Sequence, residues 1–163
     1  MLGERLGPAQ YASVVNHFYG AATEVLIGQD AIIDKLIGDE VMALFIPGIC
    51  GPNFRRRAAE AALNLLEAVG YGGAREPWMP IGVAVNAGVT YVGNVGSEGV
   101  VDFTALGDTV NTASRLASSA GSGEILLSEE VYQALAGTHH ETEHRTLSLR
   151  GKESAFPVRV LRI

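Results

Sequence analysis

The chain carries one cysteine, Cys50, and two lysines, Lys35 and Lys152. Its aspartates number five: Asp30, Asp34, Asp39, Asp102 and Asp108. A lone cysteine excludes an intramolecular disulfide framework and fits a reducing compartment. So few lysines and aspartates leave a small pool of point cations and hard-metal ligands. Positive charge is scarce as well: 12 Lys+Arg stand against 18 Asp+Glu, a net charge of −6. That balance argues against a broad nucleic-acid footprint, which needs a basic face. Long hydrophobic runs are also missing. Val41 to Cys50 is apolar but broken at Pro47-Gly48, well short of the ~18 residues of a membrane span. Met1-Leu2-Gly3-Glu4-Arg5 lacks a signal-peptide layout. These absences predict a cytoplasmic chain with no membrane contact from this segment. What remains is 163 residues, 47% hydrophobic and 18% charged, which predicts a single globular domain over 1–163.

Three common chemistries find no support. His17, His139 and His140 lack metal-like partner spacing, which argues against a zinc site. No Gly-x-Ser-x-Gly elbow or Cys/His pairing points to a nucleophile. Gly93-x-x-Gly96-x-x-Gly99 is not followed by Gly-Lys-Ser/Thr, so it is no P-loop. It reads as a flexible turn.

The apolar periodicity predicts helices over Pro8–Ile27, Arg55–Val69 and Gly107–Ala120, and a short one from a Ser128 cap to Leu135. Alternation predicts a hairpin of Ala31–Ile37 with Val41–Ile46 around Gly38-Asp39. It places Lys35 with Ile33 and Ile37, and Asp34 on the opposite face. Two β-rich runs lie in Ile81–Val95. Further strands fall at Val100–Leu106, Glu124–Leu127, Glu143–Leu149 and Phe156–Ile163. The expected class is an α+β or α/β sandwich, with helices packed on one main sheet.

Three constellations could carry chemistry. Lys35 sits in an apolar strand, where a charge is costly unless paired or used on a ligand; a surface lysine on an edge strand is the plain alternative. Asp39 follows a glycine at a hairpin tip, a good place for a Mg²⁺ ligand; an ordinary Gly-Asp turn is the plain alternative. Asp108 reads as an N-cap, with Asn111 and Arg115 one turn apart on one helix face. A helix start with an arginine inside it suits phosphate. Arg150-Gly151-Lys152 reads either as a solvated tip or as a clamp on a polyphosphate.

Together, Lys35-x-x-Gly38-Asp39 and Gly107-Asp108-x-Val110-Asn111-x-Ala113-Ser114-Arg115 resemble the motifs of class III nucleotidyl cyclase catalytic domains, the adenylate and guanylate cyclase family. The resemblance covers nearly the whole chain. It implies a ferredoxin-like βαββαβ fold and formation of a cyclic nucleotide and pyrophosphate. Lys35 would contact the purine, and Thr104 stands at the second purine-selecting position. That Lys/Thr pair resembles bacterial adenylate cyclases, so ATP is the implied substrate. Asn111 would orient the ribose, and Arg115 would stabilise charge on the phosphates. Either Arg150 or Lys152 would grip the terminal phosphates. Asp39 would be one of two aspartates holding Mg²⁺ or Mn²⁺. The implied assembly is a head-to-tail homodimer, or a pair with a related cyclase domain. Asp39 of one protomer would then work with Lys35, Thr104, Asn111 and Arg115 of the other.

One departure from the family pattern has consequences. The first central strand, of the form Phe-x-Asp-Ile, would precede Glu4-Arg5-Leu6-Gly7-Pro8, and none of the five aspartates can stand in for its metal ligand. The expectation is a sheet short of one core strand, and weak or no activity for this chain by itself. A non-catalytic regulatory or nucleotide-binding module is the alternative reading.

Overall fold

Helix α1 spans Pro8–Ile27, with proline in its first turn and Gly28 at its C-terminal end. Its buried residues, Val15, Phe18, Ala22 and Leu26, recur at helical spacing. Phe18, Ala22 and Leu26 pack against Ala61 and Leu65 of α3 (Phe54–Ala68) and against Val69 and Met79. A one-turn helix, α2 (Pro47–Cys50), lies between. It occupies the part of the apolar Val41–Cys50 run that Pro47 and Gly48 remove from the strand.

The computed structural model describes residues 6–97, 99–135, 142–151 and 154–163. Lys152, His139, His140 and the segment Met1–Arg5 lie outside the described residues.

Among the described residues the main sheet has four strands in the order β3-β6-β8-β7: Val83–Val85, Glu124–Ser128, Phe156–Arg162 and Glu143–Leu147. β3 runs parallel to β6, and the other pairs are antiparallel. Alternation along β6 feeds two layers. Ile125 and Leu127 pack with Ala59, Ala62 and Leu66 of α3 and with Val131 of α5 (Glu129–Gln133). Leu126 packs on the other side with Leu116 of α4 (Asp108–Ala117), Val158 and Val160.

The remaining strands form two separate hairpins, β1–β2 (Ile32–Ile37, Glu40–Leu44) and β4–β5 (Tyr91–Ser97, Val100–Leu106). Three sequence expectations are corrected. Gly93 to Ser97 is strand rather than loop, because the stretch pairs in register with Val100–Thr104. Asp108 is the first helical residue rather than the cap; Gly107, at φ 145, holds that position. Asp34 does not stand apart from Lys35: a bulge between Ile33 and Lys35 breaks the alternation there.

The two sheet pieces β1–β2 and β3-β6-β8-β7 share no ladder. Between β2 and β3 runs an apolar slot of about 260 Å³, lined by Val41–Ile46, Val83–Gly88 and residues of α3 and α4. No helix among the described residues is long and apolar enough to cross a membrane.

Candidate active site

Strand β1 and strand β5 meet face to face through four polar side chains. Lys35 Nζ donates to the Asp102 carboxylate and stands 3.7 Å from Asp34 Oδ2. Thr104 Oγ1 donates to the same Asp34 Oδ2 at 3.0 Å. The bulge in β1 makes this possible, since it brings Asp34 and Lys35 toward one partner strand. The Asp34 side chain is 1% exposed and Thr104 is 5% exposed, whereas Lys35 keeps 31% of its side chain open. The Asp102 carboxylate, foremost through its hydrogen bond, raises the Lys35 pKa, so the ammonium stays charged.

The structure thus brings Lys35 and Thr104 together, with Asp34 and Asp102 as the members that the sequence motifs did not foretell. The available signal was chemical: a carboxylate inside Ile32-Ile33-Asp34-Lys35-Leu36-Ile37 must find a partner if buried. Gly93 pairs directly opposite Thr104. It presents no side chain there, and a Cβ would lie 2.7 Å from the Tyr91 hydroxyl.

Helix α4 follows β5 after the single residue Gly107. Loop 86–90 holds its start: Asn86 Nδ2 donates to Thr109 O at 2.9 Å, and Thr109 Oγ1 donates to Val89 O at 2.8 Å. Asn111 is exposed, and its side chain has no partner among the described residues. Arg115, one turn on, is half-buried against the turn between β7 and β8. A Cβ on Gly151 would lie 3.5 Å from its Nη2. Arg115 and the Arg150-Gly151 turn therefore meet in one protomer, with Arg150 exposed.

Asp39 stands apart at the tip of the β1–β2 hairpin. Tyr19 of α1 pins that tip by donating to Gly38 O at 2.6 Å. No hydrogen bond or ion pair among the described residues joins Asp39 to the Lys35 cluster. Among these residues no three His, Cys, Asp or Glu side chains converge as a metal cage. Mg²⁺ commonly takes one or two carboxylates with waters and substrate phosphates. Asp39 fits that role singly; the described residues do not fit a protein-built pair of ions.

The family model described as "Adenylate and Guanylate cyclase catalytic domain" matches residues 2–158. An uncharacterized protein of Mycobacterium tuberculosis is 31% identical over 150 residues, covering 89% of this chain and 27% of that protein. Guanylate cyclase 32E of Drosophila melanogaster is 31% identical over 153 residues, covering 89% of this chain and 13% of that protein. The chain thus spans about a quarter or less of the length of these relatives. Among solved structures, the adenylyl cyclase CyaB from P. aeruginosa superposes with a TM-score of 0.77 at 26% identity, covering 99% of this chain and 85% of that one.

Proposed function

The chain belongs to the adenylate and guanylate cyclase catalytic-domain family, and from that premise we propose that it is the adenylate-type catalytic part of a cytoplasmic signalling protein. The carrying observation is the meeting of Lys35 and Thr104 on one face of β1 and β5. The substrate is ATP and the products are cyclic AMP and pyrophosphate. The ribose 3′-oxygen attacks the α-phosphorus, its proton passes to solvent, and the bond to pyrophosphate breaks. Lys35 and Thr104 read the purine. Asn111, unpartnered on the exposed face of α4, orients the ribose. Arg115 offsets charge that grows on the phosphates, the kind of term that dominates such reactions. Arg150 or Lys152 holds the terminal phosphates.

A head-to-tail homodimer, or pairing with a related cyclase domain, places Asp39 of one protomer at the site of the other. The separation of Asp39 from the Lys35 cluster supports this. So do the exposed apolar residues Leu36, Ile37, Phe103 and Leu106 on the two hairpins. The slot between β2 and β3 supports a further central strand in the complete domain. That strand would bring the second carboxylate for Mg²⁺ or Mn²⁺, so residues 1–163 by themselves are weakly active or inactive. A non-catalytic module is the second reading. The single metal-ligating carboxylate favours it.

The test is cyclic nucleotide formation by the full-length protein from ATP and from GTP with Mg²⁺ or Mn²⁺. Cyclic AMP is the expected product, reduced about a hundredfold or more by Arg115→Ala and also lowered by Asn111→Ala. Cyclic GMP in its place overturns the purine reading. ATP binding without either product leaves the regulatory module.

A further inference from the structure

Thr104 offers a purine an ambiguous group. A hydroxyl carries one proton and two lone pairs. Free to turn, it accepts from a 6-amino group or donates to a 6-oxo group, and so discriminates poorly between them. In this fold it is not free. Its proton lies on the 3.0 Å hydrogen bond that it donates to Asp34 Oδ2. Among the described residues Thr104 is the one side chain that donates to Asp34 within 3.5 Å, and Lys35 adds a longer ion pair. The Asp34 Oδ1 is buried and unpartnered, and Lys35 Nζ stands 3.7 Å from Oδ2 while donating to Asp102. Burying a carboxylate merely to tie two hairpins together would be costly. A neutral side chain would make the same tie.

We infer that Asp34 is a specificity-setting residue. By taking the Thr104 hydroxyl proton it leaves Thr104 only lone pairs to offer, so the site accepts a 6-amino purine and repels a 6-oxo purine. The inference rests on the adenylate reading of this site. Asp34 acts through Thr104 and is a positioning residue. Gly93, opposite Thr104, leaves that strand position without a side chain that could re-aim the hydroxyl.

The test measures equilibrium binding of 3′-deoxy-ATP and 3′-deoxy-GTP to the full-length protein. Both lack the attacking oxygen, so affinity is read without turnover. The unmodified protein should prefer adenine. Asp34→Asn can donate an amide proton to Oγ1 and release the hydroxyl proton. The adenine/guanine affinity ratio should then fall about tenfold, the size of one misdirected hydrogen bond. In a Thr104→Val background, Asp34→Asn should leave the ratio unchanged. Thr104→Val alone gives an independent sign, whether or not Asp34→Asn folds. It should strengthen binding of 3′-deoxy-inosine triphosphate, because the repelling lone pairs are gone. A freely turning hydroxyl predicts weaker binding instead. If the unmodified protein prefers guanine or binds neither nucleotide, the adenylate reading falls and this inference with it. If it prefers adenine but Asp34→Asn keeps the ratio, or Thr104→Val weakens the inosine analogue, this inference alone is overturned.

Discussion

Lys35 pairs its ammonium with the carboxylate of Asp102 across two hairpins that share no backbone ladder. The pair raises the Lys35 pKa above its ordinary 10.5, with the Asp102 hydrogen bond as the largest cause and burial acting against it. A raised lysine pKa contributes stability that is fully present below the unfolded value. That stability fades as pH climbs through the folded value. Asp102→Asn should return the Lys35 ammonium toward its ordinary titration, read by NMR at its Nζ. It should also shrink the alkaline step in stability above about pH 10.5, leaving the part that Asp34 contributes. Equal Lys35 titration in both proteins would mean that the pair does not form in solution.

Gly107 links β5, which carries Thr104, to the helix that carries Asn111 and Arg115. Its φ of 145 lies where side chains are strained, and a Cβ there would approach Thr90 Oγ1 to 3.2 Å. Gly107→Ala should therefore cost about 1–3 kcal/mol. The first turn of α4 should shift with it. Denaturant unfolding should show the loss, and nucleotide affinity should fall in the fraction that stays folded. An unchanged midpoint with unchanged affinity would show that this backbone tolerates a side chain.

The β1–β2 hairpin could be read from sequence because its tip, Gly38-Asp39, is turn chemistry between two alternating runs. Lys35, Asn111 and Arg115 stand out in the sequence because Lys35-x-x-Gly38-Asp39 and Gly107-Asp108-x-Val110-Asn111-x-Ala113-Ser114-Arg115 resemble a family pattern, and Thr104 because it lies just ahead of the second motif. Asp34 does not. Strict alternation assigns it to the face opposite Lys35, and a one-residue bulge carries no local mark in Ile33-Asp34-Lys35. The Gly93–Ser97 strand was hidden for a different reason. Its glycines lower strand propensity, and the ladder to Val100–Thr104 outweighs that deficit. The contact of Arg115 with Gly151 joins residues far apart in the chain, where periodicity says nothing. The contacts of Asp34 with Thr104 and Lys35 are made by tertiary structure.

Glu124 ties three strands of the main sheet, away from the candidate site. It accepts from Arg145 of β7 at 2.9 and 2.8 Å and from Arg162 of β8 at 2.6 Å. The backbone N–H of Gly121 adds a bond at 2.9 Å. These donors, Arg145 foremost, lower its pKa to about 2 against the opposing effect of burial. A lowered carboxylate pKa contributes stability that is present above the unfolded value. It is lost as pH falls through the folded value. Glu124→Gln should cost about 2 kcal/mol at neutral pH, the scale of a charged hydrogen bond. The gap between the two proteins should close as pH falls from about 4.5 toward about 2. A gap that persists at pH 2 would mean that packing rather than charge holds this corner.

The slot between β2 and β3 is bounded by two strands, each laddered on one side only among the described residues. Strand edges left this way expose backbone donors and acceptors and invite a further strand. The slot lining adds apolar surface from Val41, Ala43, Val83 and Val85, so an alternating strand would bury side chains as well as complete ladders. If the full-length protein supplies that strand, the amides on the open edges of β2 and β3 should exchange on the order of a hundredfold more slowly there than in residues 1–163. Hydrogen exchange read by mass spectrometry on peptides 40–46 and 81–88 makes the comparison. The β6–β8 ladder, paired on both sides, serves as the internal reference and should differ less between the two. Equal exchange at the slot would leave β2 and β3 as true edges. The central sheet would then be divided in the complete protein too, and the proposed source of a second carboxylate would fall.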